Sequence, residues 1–184
     1  IKIQDKYLES EEMKELLNGM QEEHWKLLTK FLILSGLRFG EAIALLKEDV
    51  DIDNRTIRVT KTYDSINREI TAPKSICSIR DVYIQNELKT VCKQINALML
   101  RQRLIHGVRY TDLFMHSQSG GYIQYFAYNK YLRENSERIL GRKLTAHALR
   151  HTHASLLLEQ GVSIDTISRR LGHENSRITK EIYL

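Results

Sequence analysis

The segment LTAHALRHTHASLLLEQG, near the C-terminal end of the chain, combines three histidines with an arginine: His147, Arg150, His151 and His153. We expect a helix here, with Thr145 near its N-cap. His147, Arg150 and His151 then share one face near the helix N-terminus, because residues three and four apart are neighbours on a helix. Such a group can bind an anion such as phosphate, through positive charge and the unpaired amides of the helix N-terminus. A metal site is one alternative, but it lacks a clear third ligand. A set of core histidines is another, but it does not explain Arg150.

A second arginine, Arg38, lies in the segment SGLRFGEAIALL. We expect Arg38 at the start of a helix, where its positive charge opposes the helix dipole and requires compensation. Glu41 is one turn further along and can compensate this charge by a salt bridge. The alternative is a bound anion that Arg38 shares with Arg150. On its own, this motif does not choose between the two.

The final segment, RRLGHENSRITKEIYL, places His173 directly after a glycine, and Tyr183 follows ten residues later. A single tyrosine on an amphipathic helix is usually a core or surface residue. The order of the motifs is more informative than any one of them, because GLRFGE, HALRHT, LGH and IYL follow one another along the chain.

These motifs in this order resemble the catalytic domain of the tyrosine recombinase (phage integrase) family, and the resemblance covers roughly residues 8–184. It implies a catalytic set of two arginines, two histidines, a lysine on a β-hairpin turn and a tyrosine nucleophile: Arg38, Arg150, His147, His173, Lys74 and Tyr183. It also implies that Glu41 supports Arg38. His151 is expected to support the site, and His153 to pack in the core or bond to the backbone. Lys61, in VTKTY, is the alternative to Lys74, in APKSICSIRDVYI.

The chemistry that this resemblance implies is the breakage and rejoining of DNA. Two guanidiniums can bind the non-bridging oxygens of a phosphodiester through bidentate hydrogen bonds. Attack by Tyr183 gives a 3′-phosphotyrosine and a free 5′-hydroxyl, and attack by another strand's 5′-hydroxyl rejoins the DNA. The implied partner is double-stranded DNA at specific sites, bound by four protomers at a synapse, although the isolated domain can be a monomer. Accessory DNA-bending or directionality factors, and action on the nucleoid in the bacterial cytoplasm, are also implied, but no cofactor and no metal.

The composition is that of a globular domain with an uneven charge. The 184 residues are 42% apolar and 28% charged, which is ordinary for a protein with one core. No apolar stretch approaches the roughly 20 residues that a membrane span needs, and the charged start is unlike a signal peptide. The formal net charge is +5, of which −2 comes from residues 1–30 and +7 from the remainder. A basic body suits a polyanionic partner, although it also promotes solubility. Cys77 and Cys92 form no CxxC and are expected to be reduced thiols.

The elements that must position these residues are helices on either side of a β-rich stretch. Helical patterns precede that stretch in SEEMKELLNGM, WKLLTKFLILSG and FGEAIALLKEDV, and follow it in ELKTVCKQINALMLRQRLI, YFAYNKYLRENSERIL, HALRHTHASLLLEQG, SIDTISRRLG and SRITKEIYL. Between them, RTIRVTKTY, REITAPK and IRDVYIQ are partly alternating and separated by turn residues. We therefore predict a mainly α fold with a small three-stranded antiparallel β-sheet (α+β). This is also the integrase catalytic-domain fold that the resemblance implies.

Residues 1–184 are expected to form the catalytic domain alone, without the N-terminal core-binding domain and the C-terminal tail of complete family members. Three other functions remain open. The segment HASLLLEQGVSIDTISRRLG has the helix–turn–helix pattern of a DNA-binding regulator. A type IB topoisomerase uses similar chemistry, and a metal-dependent phosphodiesterase is the third possibility. A regulator should keep its function in a Tyr183→Phe variant, whereas a recombinase should lose covalent attachment to DNA.

Overall fold

A computed structural model describes residues 7–183 of the chain, and the side chains of residues 7–181. Each of the eight predicted helical segments contains a helix, and these are α1 (Ser10–Gly19), α2 (Glu23–Ser35), α3 (Phe39–Ala44), α4 (Asn86–His106), α5 (Tyr125–Leu140), α6 (Ala146–Glu159), α7 (Ile164–Leu171) and α8 (Ser176–Tyr183). The strands are β1 (Val50–Asp51), β2 (Thr56–Val59), β3 (Thr62–Asp64), β4 (Glu69–Thr71) and β5 (Arg80–Tyr83). Short 3-10 turns lie at Lys47–Asp49 and Ile76–Ser78. The predicted fold class is confirmed. None of the helices within residues 7–183 combines the length and apolar character that crossing a membrane requires.

Helix α2 lies at the centre of the fold because it is apolar on almost every side. Its Leu28, Phe31 and Leu32 are at most 2% exposed, and the helix packs against α4 and α6. It ends at Gly36, whose φ of +71° is a left-handed conformation that favours glycine. This turn lets α3 begin only three residues later, so the start of α3 lies beside the end of α2.

The β-rich stretch forms two small antiparallel sheets. The strands β1, β2 and β5 make a three-stranded sheet in the order β1-β2-β5, in which Ile57 lies opposite both Val50 and Val82. The strands β3 and β4 form a separate hairpin, with Tyr63 opposite Ile70. A three-stranded sheet is therefore present, but not with the predicted membership.

Two details of the predicted strands are wrong. The segment RTIRVTKTY contains both β2 and β3, because the chain leaves the extended pairing at Thr60 and Lys61, and REITAPK pairs only with β3. The unpredicted strand β1 completes the main sheet instead. The hairpin stands apart because β3 packs closely on α3. A Cβ atom at Gly40 would clash with Thr62 and would lie 2.8 Å from the carbonyl oxygen of Tyr63.

The last three helices bring the C-terminal end of the chain back to the sheet. Helix α6 begins after Thr145, as predicted, and packs against α2. Helix α7 is capped by Ser163, whose Oγ accepts a hydrogen bond from the backbone N–H of Thr166 (3.2 Å). It ends at Gly172, with φ +77°, and packs against both α8 and β5. The turn after α7 therefore lies beside the start of β5.

Candidate active site

The side chain of Arg150, on α6, forms hydrogen bonds at the C-terminal ends of α2 and α7. Its side chain leaves the N-terminal half of α6 and is only 4% exposed. Nη1 donates a hydrogen bond to the carbonyl of Gly36 after α2 (2.7 Å), and Nη2 donates to the carbonyl of Leu171 at the end of α7 (2.6 Å). Carbonyls at a helix C-terminus have no partner within the helix. The guanidinium satisfies two of them, and the two bonds fix its plane.

Arg38 lies next to Arg150 because it is only two residues after Gly36, whose carbonyl accepts a hydrogen bond from Arg150. It is the N-cap residue of α3, as predicted, and its side chain is 44% exposed. Its backbone N–H donates to Glu41 Oε1 (2.9 Å), whereas its Nη1 is 3.7 Å from Glu41 Oε2. The salt bridge between Arg38 and Glu41, which was one of the two alternatives from the sequence, is thus present but long.

The two arginines line one cleft. This cleft has a volume of about 180 Å³, and its walls are formed by Arg38, Phe39, Tyr125, Ala146, His147 and Arg150. The guanidiniums come from residues that are 112 positions apart in the sequence. Their convergence on a common opening gives a site with the charge and the donors that a phosphate group requires.

His147 and His151 stand at the exposed end of α6. Their rings pack edge to face, with centroids 4.5 Å apart. The pKa of His147 lies below its ordinary value, because of partial desolvation and the positive charges of Arg150 and Arg38. Within residues 7–181, no three His, Cys, Asp or Glu side chains cluster closely enough to hold a metal ion.

His173 belongs to the same electrostatic cluster. It follows Gly172, and its Nδ1 is 2.7 Å from the hydroxyl of Thr179 in α8. Burial lowers the pKa of His173 to about 4, and the charges of Arg150, Arg38 and Arg80 contribute. The imidazole is therefore neutral near pH 7, held beside several cations.

His153 lies about one helical turn after Arg150 on α6, packed against Gly36 and outside the lining of the cleft. Its Nδ1 donates to the carbonyl of Ile33 (2.7 Å), and its Nε2 accepts a hydrogen bond from Arg170 Nε (3.0 Å). Burial, followed by the charge of Arg170, lowers the pKa of His153 to about 3. The backbone hydrogen bond expected from the sequence is present, and the residue is part of the core.

Arg80 is a buried member of the site that the sequence analysis missed. It is 8% exposed, and its Nη1 and Nη2 donate to the two carboxylate oxygens of Glu41, at 2.8 and 3.1 Å. Burial acts to raise the pKa of Glu41, but the hydrogen bonds and charge of Arg80 outweigh it, so that this pKa lies below its usual value. The available signal was strand alternation, which puts Arg80 on the same buried face as Val82.

Sequence comparison places this chain within a known family. The family model described as "Phage integrase family" matches residues 6–184. The chain belongs to the phage integrase family. It is 33% identical over 163 residues to the integrase of Staphylococcus phage L54a, which covers 82% of this chain and 44% of that protein. It is 31% identical over 195 residues to a probable integrase of prophage ps2 of Lactococcus lactis, which covers 99% of this chain and 51% of that protein.

The chain spans about half the length of these two integrases. Its fold also matches a solved structure of the Tn1549 transposon integrase in complex with circular intermediate DNA. The TM-score is 0.81 at 20% identity, over 97% of this chain and 62% of that chain. At this level of identity, the match shows a shared integrase fold.

Membership of the phage integrase family leaves the helix–turn–helix regulator and the type IB topoisomerase without support. In this integrase-family domain, α6 and α7 are indeed joined by a short turn. However, the Arg170 side chain of α7 is turned inward. Besides its bond to His153, it donates to the backbone carbonyls of Tyr83 (2.9 Å) and Leu34 (3.1 Å). These bonds hold the Arg170 side chain against α2, α6 and β5.

The two candidate lysines of this phage integrase domain differ in their surroundings. Lys61 is about one-quarter exposed, and its Nζ forms an ion pair with Asp49 Oδ2 (3.0 Å). Lys74 is exposed, follows β4, and makes no hydrogen bond or ion pair with any residue that the structure describes. It lies four residues before Ser78, whose Cα would be 3.2 Å from a Cβ at Gly172. Four residues span at most about 14 Å, so the Cα atom of Lys74 lies within that distance of Ser78, which contacts the turn before His173.

The expected nucleophile, Tyr183, occupies the last position of α8. Its side chain lies outside the described residues. Position 183 is four residues, or about one helical turn, after Thr179, which contacts His173. Helix α8 packs on α7 and thereby brings the end of the chain towards the cluster of arginines and histidines.

Proposed function

We propose that the protein containing this chain is a site-specific DNA recombinase. It cuts and rejoins double-stranded DNA through a covalent 3′-phosphotyrosine intermediate, in the integration or excision of a phage or other mobile element. The observation that carries the proposal is the cleft that Arg38 and Arg150 line together with His147. Membership of the phage integrase family supports it, as does a structural neighbour that was solved with DNA.

The arginines bind the scissile phosphate in this proposal. Negative charge gathers on the two non-bridging oxygens as the phosphorus is attacked, and donors already in place stabilise that charge best. Arg150 meets this requirement because two backbone carbonyls hold its guanidinium. Arg38 is more exposed and can adjust to the ester. His147, at the mouth of the cleft, adds a further hydrogen bond to the phosphate.

Tyr183 is the nucleophile. Its phenolic oxygen forms a bond to phosphorus while the bond from phosphorus to the 5′-oxygen of the next nucleotide breaks. A free tyrosine has a pKa of about 10, so the phenol needs a base near pH 7. His173 is neutral at that pH and can take the proton. A bound phosphate opposes the charges of the arginines and raises the pKa of His173 towards a useful range.

The departing 5′-oxygen receives a proton from Lys74, which completes the cleavage step with a free 5′-hydroxyl. Lys61 is the alternative donor, but its ion pair with Asp49 occupies its ammonium group. Glu41 and His151 support the site by holding Arg38 and packing on His147. Attack on the phosphotyrosine by the 5′-hydroxyl of another strand reverses these steps and rejoins DNA. The phosphotyrosine conserves the energy of the broken bond, so the proposed reaction needs neither ATP nor a metal.

The partners follow from strand exchange between two duplexes. Four protomers act at one synapse, because four strands must be cut and rejoined. The domain recognises specific DNA sites, and accessory DNA-bending or directionality factors select integration or excision. The protein acts on the nucleoid in the bacterial cytoplasm. The isolated domain has a basic body, with a net charge of +7 over residues 31–184, which favours attraction to DNA.

The proposal is tested by trapping the covalent intermediate. The 184-residue chain is incubated with a pool of DNA duplexes of random sequence, each nicked beside a possible cut so that the released short strand diffuses away. Denaturing gels then separate protein–DNA adducts, and sequencing of the trapped strands reveals the preferred site. We expect an adduct with the wild type, none with Tyr183→Phe, and the wild-type amount with Tyr110→Phe, whose ring is 75% exposed.

Three outcomes would contradict the proposal. The first is an adduct that persists in Tyr183→Phe, and the second is DNA binding by the wild type without any adduct across the pool. The third is cleavage of the DNA without an adduct that stops on addition of EDTA, which would indicate the metal-dependent phosphodiesterase instead.

A further inference from the structure

Arg80 connects three separate elements from a buried position at the start of β5. Its Nε donates to the carbonyl of Arg170 in α7 (2.7 Å). Its Nη1 donates to the carbonyl of Ser78 (2.7 Å) and to Glu41 Oε2 (2.8 Å), and its Nη2 donates to Glu41 Oε1 (3.1 Å). One guanidinium thus bonds to α3, to α7 and to the turn that leads into its own strand.

Each of these partners adjoins a residue of the candidate active site. Glu41 bonds to the backbone N–H of Arg38. The carbonyl of Arg170 precedes that of Leu171, which accepts from Arg150. Ser78 ends the 3-10 turn that begins two residues after Lys74. Among these three groups, only the segment of Lys74 lies outside the helical body, so it depends most on an anchor.

The contact between Arg80 and the end of α7 is close. A Cβ atom at Gly172 would lie 2.8 Å from Arg80 Nη1 and 3.2 Å from Ser78 Cα. The left-handed turn at Gly172, with φ +77°, also favours glycine. The turn that carries His173 is therefore pressed directly against the guanidinium and against the segment that follows Lys74.

Fold stability alone is a poor explanation for this arrangement. Burying an ion pair such as Arg80–Glu41 costs desolvation of both charges, and apolar side chains of similar size often stabilise a core as well or better. The forked guanidinium offers something that apolar groups lack, which is several hydrogen bonds of fixed direction at once. Hydrogen bonds of fixed direction are useful where catalytic groups must keep fixed positions relative to one another.

We infer that Arg80 is a positioning residue for strand cleavage, which anchors the Lys74 segment to α3 and to the end of α7. Through this anchor, the proton donor meets the ester that Arg38 and Arg150 bind. The inference rests on the proposed function, since it assigns Arg80 to the protonation of the departing 5′-oxygen. Arg80 itself touches neither the DNA nor the reacting atoms.

The test compares two nicked DNA substrates at the preferred site. One has the ordinary 5′-oxygen at the cut, and the other has sulfur at that bridging position. A thiol is a much stronger acid than an alcohol, so the sulfur departs as a thiolate without receiving a proton. A defect in protonation is therefore rescued by the sulfur substrate, whereas a defect in phosphate binding, or in the fold, is not.

The main variant is Arg80→Lys, which keeps a positive charge beside Glu41 but cannot bond to Ser78, Arg170 and both carboxylate oxygens together. We expect its single-turnover rate of adduct formation to fall about 100-fold with the oxygen substrate, as for loss of general acid catalysis. With the sulfur substrate, we expect a fall of less than about 5-fold. The Kd for DNA should stay close to that of the wild type. The melting temperature should fall, because the buried carbonyls of Ser78 and Arg170 lose their donor, but the variant should remain folded at the assay temperature.

Arg58→Gln is the matched control, because Arg58 lies on the neighbouring strand β2, is exposed, and pairs with Asp81. It should cleave both substrates at the wild-type rate. A double variant, Arg80→Lys with Lys74→Ala, should be no slower than Lys74→Ala alone, because the two changes remove the same step. Arg80→Gln provides a second route if Arg80→Lys does not fold, since its amide can still donate to Glu41 but cannot also bond to Ser78 and Arg170, and it should show the same rescue by sulfur.

Equal losses on the two substrates would overturn the inference, as would additive losses in the double variant. An unchanged rate in Arg80→Lys would also overturn it. None of these results affects the proposed function, which would instead be contradicted if the wild type formed no adduct with either substrate.

Discussion

Arg150 and Lys74 are proposed to act on the same phosphate, but the regions that carry them differ. Arg150 is 4% exposed, and its guanidinium is bonded to carbonyls at the ends of two other helices. Lys74 is exposed and has no hydrogen bond or ion pair with the described part of the chain. The helical region around Arg150 is thus preorganised before DNA binds, whereas the Lys74 segment is attached to that region through Arg80.

This difference corresponds to two kinds of chemistry. Groups that stabilise a developing negative charge gain most from being fixed before the substrate arrives, since no reorganisation is then needed. A proton donor must instead approach the leaving oxygen from the side of the DNA. The structure suggests that helix ends, with their unpaired carbonyls, provide the fixed region, and that the β-rich insert provides the adjustable one.

Substitution of the two arginines should give the largest effects, and it tests whether Arg150 is held more rigidly than the exposed groups of the site. Arg150→Met should reduce adduct formation by about 1,000-fold. It should also lower the free energy of unfolding by about 3 kcal/mol, because the carbonyls of Gly36 and Leu171 lose their buried donor. Single-turnover cleavage and urea denaturation measure the two quantities.

Arg38→Met is the control for this prediction. Its side chain is 44% exposed and its ion pair is long, so the free energy of unfolding should change by less than about 1 kcal/mol. Cleavage should still fall by about 100-fold or more. Equal destabilisation by the two substitutions would show that Arg150 is no more fixed than Arg38, and the contrast between the fixed and adjustable regions would be lost.

The next largest effect distinguishes the lysines. Lys74→Ala should slow adduct formation about 100-fold and leave the free energy of unfolding unchanged, because its side chain makes no described contact. Lys61→Ala should keep the wild-type rate and lose up to about 1 kcal/mol, because its pairing with Asp49 is partly buried. The same two assays apply. The reverse pattern would assign proton donation to Lys61, whose ammonium is held by Asp49, and the contrast between a fixed Arg150 and an unpaired proton donor would be lost.

The helical part of the fold could be read from the sequence because its signals are local. Gly36 at the end of α2, Arg38 at the start of α3 and Thr145 before α6 all stand where the pattern puts them. Helix periodicity and terminal residues depend on neighbours within a few positions. The spacing of His147 and Arg150 on one face follows from the same local geometry.

The sheet could not be read in this way, because strand pairing is set by contacts distant in sequence. No local feature shows that RTIRVTKTY divides at Thr60 and Lys61, or that the two-residue strand β1 takes the place of β4. Arg80 was missed for a related reason. A charged residue in a strand is normally exposed, and its burial becomes evident only when Glu41, 39 positions earlier, is seen beside it.

The smallest effect concerns the core behind the fixed region, where His153 joins α6 to α2 and α7. Its pKa is about 3 in the folded protein, against an ordinary value of 6.5. Between these values the unfolded chain binds a proton that the folded chain does not, so stability falls as the pH is lowered through this range. From the two values, the loss between pH 7 and pH 5 is roughly 2 kcal/mol for this residue. His173, with a pKa of about 4, adds a smaller share because it is partly exposed.

Urea denaturation between pH 7 and pH 5 measures how the free energy of unfolding depends on pH. In His153→Asn this dependence should be weaker, since the amide can still donate to Ile33 but does not titrate. An unchanged slope in His153→Asn would mean that this histidine is not held neutral, and that the helical region is less firmly packed than its hydrogen bonds indicate.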